Sequence, residues 1–487
     1  MPKAIIIGTG IAGLASAVRL AIKGYSVEVY EANSYPGGKL SEIKSNGFRF
    51  DAGPSLLTMP HYIDELFKLA NKNPKDYFQY QKLDLVCKYF YEDGTQINAW
   101  SDKTKFAEEI NTKTNDSKVS VLKFLDKSAE IYNITNHIFL EKSLSKLKSY
   151  LTWKTLKSIL SFLKIDAFRT MNEANHSFFI DDKTRQLFNR YATYNGSNPY
   201  QAPATLNVIP HLEHYFGAYF PTGGMYNIVA GLVNLLKELG VKIYYNSVVE
   251  EIIINNKKAI GVKVNGEINM SDLVISNMDV WFTYKNLLKD QYSPPKILQQ
   301  ERSSSALIFY WGIQKTCADL DVHNIFFSSN YQSEFDYIWK QQLIYNDPTI
   351  YVNISSKLKP DDAPQGCENW FTMINVPANN GQDWDKLIVQ ARENILSKLS
   401  RVLKEDIASL ITSETVLDPR GIEAKTSSFQ GSLYGTSSNN QFSAFLRHAN
   451  FSSKLEGLYF VGGSVHPGGG IPLALLSAKI VSSLIPK

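Results

Sequence analysis

Gly8-x-Gly10-x-x-Gly13, followed by Glu31 eighteen positions after the last glycine, is a set of residues whose types and spacing suit one kind of chemistry, the holding of a dinucleotide. Gly8 permits a tight turn, Gly10 lets the backbone approach a pyrophosphate, and Gly13 lets a helix pack closely on a strand. Ile11 and Ala12 lie within the same turn. The carboxylate of Glu31 is placed to accept hydrogen bonds from the hydroxyls of an adenosine ribose. A phosphate at this turn meets free N–H groups and the positive end of a helix dipole.

The elements that must position these residues are legible around them. Ala4-Ile5-Ile6-Ile7 reads as a short β-strand closed by Gly8, Ala12 to Lys23 suits a helix ended by Gly24, and Ser26 to Tyr30 reads as a second strand. Lys3 before an apolar stretch also suits a secretion signal, but the strand–turn–helix spacing argues against one, and Arg19 with three glycines argues against a membrane span. At 487 residues, 44% hydrophobic and 20% charged, the composition is that of an ordinary globular chain, and a net charge of +4 is too slight to point to nucleic acid. Cys87, Cys317 and Cys367 are widely separated and form no CxxC pair, which suits a reducing, cytoplasmic compartment. His211 and His214 have metal-like spacing without a third ligand nearby, so no metal is expected. No further apolar run has the length of a transmembrane helix.

The segment after Glu31 reads "EANSYPGGKLSEIKSNGFRFDAGPSLL". Its paired glycines, Gly37 and Gly38, let the backbone pass close to a bulky group, and Lys39 can offset phosphate charge. Together with the Gly8–Gly13 turn, Glu31 and Phe50-Asp51-Ala52-Gly53-Pro54, it resembles the N-terminus of the FAD-dependent amine oxidase and phytoene desaturase superfamily. Many members carry Arg where Lys39 stands. The other end, "GLYFVGGSVHPGGGIPLALLSAK", resembles the matching half of the cofactor site in the bacterial and fungal type of carotenoid desaturase: a strand from Leu458 to Val461, glycine turns, then a helix with Pro472 in its first turn. Between them "YFPTGGMYNIVAGLVNLLKELGVKIYYNSVVEEI" reads as a helix begun by Pro221 to Met225 and reaching Leu239, then a strand from Val241 to Tyr245; hairpin-like strands continue to "LVISNMDV".

The resemblance implies an α/β fold with a discontinuous Rossmann-like FAD-binding domain at about 1–75, 220–285 and 415–487, and a mixed α+β substrate domain at 76–219 and 286–414. It implies FAD as cofactor. Gly38, Lys39, Gly53, Pro54, Ser55, Leu56, Val249, Asn277, Gly431, Gly463, Ser464, Gly470, Ile471 and Pro472 then join Gly8, Gly10, Ile11, Ala12, Gly13 and Glu31 in binding it. His466, beside the expected flavin, is a candidate to orient the ring or receive a proton, with pinning of the glycine turn as the plainer role. Arg447 matches a family arginine, either shaping the site or forming a structural salt bridge.

Departures at Gly463, Ser464, Val465, Gly469 and Leu473 make the ending look more like enzymes that desaturate hydroxylated carotenoids at the 3,4 bond than like phytoene desaturases. Desaturation implies loss of hydride to the flavin, a cation delocalised along the polyene, and loss of the neighbouring proton with little need for a strong base. Phytoene desaturation, carotene isomerisation and amine oxidation on the same scaffold are the alternatives. No second nucleotide-binding unit is present in the sequence, so oxygen or a membrane quinone is the expected electron acceptor. Lys142, Lys146, Lys148, Lys154, Lys157 and Lys164, interleaved with leucines at helical spacing and no acidic residue, suit a membrane-facing segment near 142–168. The chain is thus expected at the inner face of a membrane, peripherally bound.

Overall fold

The computed structural model describes residues 1–136, 165–289, 292–440 and 447–486. The lysine-rich run Lys142 to Lys164 lies outside the described residues.

A five-stranded sheet, all of its pairings parallel, holds the N-terminal turn. Its order is Lys242–Tyr244, Ser26–Tyr30, Lys3–Ile7, Leu273–Ser276, Leu458–Phe460. The central strands are continuous apolar runs because both faces are covered. Helices Ile11–Ile22, Asn227–Glu238 and Ile471–Leu484 cover one face through Leu14, Val18, Leu232 and Leu475, and a three-stranded antiparallel sheet formed within residues 249–270 covers the other through Ile252 and Val262. Burying a side chain of this size is worth about 1.5–3 kcal/mol.

Two expectations about elements are corrected here. The strand Leu273–Ser276 does not continue a hairpin; it pairs in parallel with Lys3–Ile7, Ala4 opposite Leu273 and Ile7 opposite Ser276. All four of its residues are buried, as a strand with two covered faces requires. The helix expected from Pro221 begins only at Asn227, because Pro221 ends a strand, Ala218–Pro221, and a turn with φ of +90° at both Gly223 and Gly224 precedes the helix.

A second, seven-stranded sheet runs in the order Ile411–Leu417, Ser305–Ile313, Glu368–Val376, Ile350–Asn353, His323–Phe326, Leu85–Phe90, Gln96–Trp100. Its pairings are antiparallel except for the one between His323–Phe326 and Leu85–Phe90. Side chains alternate between its faces. Trp311, Trp370 and Ile374 pack with Ile395 and Leu399 of helix Trp384–Leu403. On the opposite face a row of directly facing residues crosses four strands: Tyr310 opposite Phe371, Phe371 opposite Asn353, Asn353 opposite His323. Among the described residues no helix is long and apolar enough to cross a membrane.

Candidate functional site

The glycine turn is built by the first strand running into the first helix. Gly8 N–H donates to the carbonyl of Tyr30 at 2.8 Å, and the helix starts at Ile11 with Gly10 as its N-cap and no side chain capping it. A Cβ on Gly13 would stand 2.2 Å from the carbonyl oxygen of Gly8, so this position accepts glycine alone. Ala12 is buried in the helix-side core and Ile11 packs against it. Gly13 N–H donates to Asn277 Oδ1 at 3.1 Å, and Asn277 Nδ2 donates to the carbonyl of Val461 at 3.1 Å. Gly37 N–H donates to the carbonyl of Thr9, which seats Gly38 beside Gly10. Three distant stretches therefore meet at the same turn.

Glu31 directly follows the second strand and has 5% of its surface exposed. One carboxylate oxygen accepts Thr9 N–H at 2.8 Å and Thr9 Oγ1–H at 2.6 Å; the other accepts the backbone N–H of Asn33 at 2.9 Å and its Nδ2 at 2.8 Å. The acid thus rigidifies the turn, and a ribose hydroxyl would have to join or replace one of these donors. Backbone bonds from Glu31 N–H to Tyr244 O and from Ser247 N–H to Glu31 O carry the chain into Val249, the residue expected at the adenine.

Three cations, buried Arg302 and Arg447 and half-buried Lys39, lie close enough that the charge of Arg302 acts on the other two. Lys39 Nζ donates to the carbonyls of Leu433 at 2.7 Å and Ser432 at 3.2 Å, next to Gly431. Burial pulls its ammonium down to about 8, with Asp279 opposing the shift and Arg302 adding to it. Arg447 donates to the carbonyl of Tyr434 at 2.9 Å and to Asn195 Oδ1 at 3.2 Å. Burial, reinforced by the charge of Arg302, pushes Arg447 down to about 10. The expected structural salt bridge is corrected: among the described residues no carboxylate lies within ion-pair distance of Arg447 or Lys39, because carbonyl and amide oxygens take its place. Arg302 pairs with Asp279 at 3.2 Å and lies 4.8 Å over the Phe429 ring, yet its buried Nε and Nη1 have no partner among the described residues. Buried charge of one sign is costly unless an anion joins it. A diphosphate answers that excess, so the residues present fit a dinucleotide. Arg302 was not legible in advance; "QERSSSAL" carries no motif.

The Ala52–Ser55 loop lies against the row on the seven-stranded sheet. Tyr310 OH donates to the carbonyl of Ala52 at 2.8 Å, a Cβ on Gly53 would be 3.8 Å from Phe371, and Ser55 Oγ is 2.7 Å from the Tyr351 hydroxyl. Pro54 is exposed, and Leu56 packs against Leu83, Val86 and Phe220. From the C-terminal segment, Ser464 Oγ accepts Val280 N–H at 3.1 Å, Gly463 packs on Gly469, and Gly470 caps the helix that Ile471 and Pro472 begin. The backbone of His466 is pinned on both sides: its N–H donates to His448 O at 3.0 Å and its carbonyl accepts Asn450 Nδ2 at 2.7 Å. His211 stacks on Tyr215 and His214 on Phe106.

No single stretch of the chain marks an aromatic cage, but the fold assembles one. Tyr89, Tyr191 and Tyr194 turn their rings toward one point, and Glu213 accepts the hydroxyls of Tyr191 and Tyr194. The guanidinium of Arg190 fills it, 4.4 Å over the Tyr191 ring and 3.7 Å from Glu213. A cage of this kind suits an organic cation, and here the chain supplies the cation itself.

Residues 11–486 match the family described as flavin containing amine oxidoreductase. The chain is 51% identical over 486 residues to the 1-hydroxycarotenoid 3,4-desaturase of Flavobacterium sp. (strain P99-3), covering 100% of this chain and 99% of that protein. It is 36% identical to the 4,4'-diapolycopene oxygenase of Methylomonas sp, covering 99% and 98%. Among solved structures, an oxidoreductase from Methanosarcina mazei superposes with a TM-score of 0.64 at 18% identity, covering 99% of each chain. The chain belongs to the flavin containing amine oxidoreductase family and is an FAD-dependent oxidoreductase.

Proposed function

We propose that the protein is a carotenoid desaturase that removes hydride and proton across the 3,4 bond of a 1-hydroxylated carotenoid. When bound, FAD supplies the two-electron acceptor for the hydride. The Gly8–Gly13 turn would hold its diphosphate, with Lys39, Arg302 and Arg447 adding positive charge, Glu31 and Val249 its adenosine end, and Gly53–Ser55 with Gly463, Ser464 and Gly470–Pro472 its flavin end.

The chain's own part is to place a C–H bond and keep water away from it. The observation that carries this reading is the laying of Ala52–Ser55 against Tyr310, Phe371 and Tyr351. A wall of aromatic rings holds a flat, apolar polyene by area and dispersion. Loss of hydride next to such a polyene leaves a charge shared along the conjugated chain, so a weak acceptor suffices for the proton, and His466 with its pinned backbone is not needed as a strong base. The 51% identical relative supports the hydroxylated substrate and the 3,4 bond. An amine substrate is disfavoured by Arg190, which occupies the aromatic cage.

In this reading the FAD-binding domain comprises residues 1–75, 220–285 and 415–487, and the rest forms the substrate domain. The lysine-rich segment rests on the inner face of a membrane, where the substrate dissolves, and oxygen or a quinone takes the electrons. Aerobic incubation of the FAD-loaded protein with acyclic, monocyclic and hydroxylated carotenoids tests it. A red-shifted product lighter by two hydrogens is expected from the hydroxylated substrate; unchanged mass with altered retention makes the protein an isomerase and ends the proposal.

A further inference from the structure

We propose that His323 reads the substrate's hydroxyl, its Nε2–H donating a hydrogen bond to the hydroxyl oxygen while Tyr351 and Asn353 hold the ring in place. This rests on the reading of the protein as a hydroxycarotenoid desaturase.

The tautomer follows from the partners of the other nitrogen. His323 Nδ1 is 2.7 Å from the Tyr351 hydroxyl and 3.2 Å from Asn353 Nδ2. Asn353 Nδ2 also donates to the carbonyl of Val322 at 2.9 Å, which identifies that atom as the amide nitrogen, and an amide nitrogen only donates. Nδ1 is therefore an acceptor. Burial drags the imidazole down to about 4, against the opposing pull of Glu213 and Asp321, so the ring is neutral near pH 7 and its one proton sits on Nε2.

That N–H is buried and has no partner among the described residues. The ring is anchored through its other nitrogen by a chain of bonds. Tyr351 gives its hydrogen to Nδ1, so its oxygen accepts from Ser55 Oγ at 2.7 Å, and Ser55 belongs to the loop that packs on the aromatic wall. The His323 and Tyr351 rings are parallel to within 16°. His323 and Asn353 are direct cross-strand partners, which sets both side chains on the face where Tyr310 and Phe371 meet the loop.

The chemistry of the substrate matches this placement. A 1-hydroxyl is separated from the 3,4 bond by a single methylene, so whatever reads it must stand close to the reacting carbon. His323 is two hydrogen bonds, each of 2.7 Å, from Ser55. A neutral donor on an aromatic face suits a neutral oxygen at the end of an apolar chain, whereas Arg190 and Glu213, the nearby charges, are already paired with each other.

The test compares kcat/KM, and Kd from quenching of protein fluorescence, for a 1-hydroxycarotenoid and its deoxy counterpart with the same polyene. The wild-type protein is expected to prefer the hydroxylated compound by about tenfold or more in both measures. His323→Phe should erase that preference by losing only the hydroxylated substrate, and His323→Gln, which keeps an N–H donor, should recover part of it. A wild type that oxidises both carotenoids equally overturns the inference and leaves the desaturase reading standing; one that oxidises neither overturns both. Equal losses on both substrates in His323→Phe, with FAD content and melting temperature unchanged, also overturn it. If His323→Phe fails to fold, the wild-type ratio and His323→Gln decide.

Discussion

Asn277 Oδ1 accepts the backbone N–H of Gly13 across 264 positions of chain, and the same amide donates to Val461. One side chain thus ties the first glycine turn to the last strand of the parallel sheet. A Cβ on Gly10 would stand 2.5 Å from that same oxygen, so amide and glycine are matched in shape. Replacing Asn277 by Leu should cost about 1–3 kcal/mol, because Gly13 N–H and Val461 C=O lose their partner, and should loosen FAD. Denaturant unfolding and flavin absorbance after gel filtration check both; unchanged values in both would remove Asn277 from the site.

Arg302 carries two unpartnered nitrogens beside Lys39 and Arg447. If they meet the cofactor's diphosphate, Arg302→Gln keeps a donor for Asp279 yet removes the charge. FAD affinity should fall by about tenfold or more, with a smaller dependence on salt than in the wild type. Titration of the cofactor-free protein with FAD at two ionic strengths measures this, and an unaltered Kd would show that the charge serves only Asp279.

Lys39 gives the site a pH dependence of definite sign. Its ammonium is pulled from 10.5 to about 8 by burial in the cofactor-free chain. Between those values the unfolded state binds the extra proton, so the contribution of Lys39 to the stability of the cofactor-free chain rises with pH across that window. FAD binding runs the other way. Above about pH 8 the dianion must recruit a proton to Lys39, and affinity should weaken by up to about tenfold per pH unit. Lys39→Gln should bind more weakly at pH 7 and lose this slope, as read from Kd between pH 7 and 9.5.

Neutralising the six lysines from Lys142 to Lys164 should reduce co-sedimentation with anionic liposomes, each lysine contributing about 1 kcal/mol near such a surface. Unchanged binding at low salt would assign these lysines to ordinary solvation.

What could be read from sequence follows from how local each determinant is. The strand Ser26–Tyr30, the helix begun at Ile11 and the helix begun at Ile471 were legible because a turn, its glycines and its apolar run are contiguous. Leu273–Ser276 misled because three apolar residues and a serine after a hairpin carry no mark of parallel pairing with a strand at residue 3. Arg302, Arg190 and His323 were illegible for a related reason: each depends on a partner more than 20 positions away, Asp279, Tyr89 and Tyr351 respectively. Glu31 was legible as an acid at a strand end, but not its engagement by Thr9 and Asn33.

The most direct test is a single turnover without oxygen. FAD-loaded protein mixed anaerobically with one equivalent of 1-hydroxycarotenoid should bleach the oxidised-flavin absorbance as the polyene band moves to longer wavelength, both at one rate, with a product lighter by two hydrogens. A flavin that stays oxidised while the carotenoid changes, or a product that has gained oxygen once air is admitted, would contradict the account.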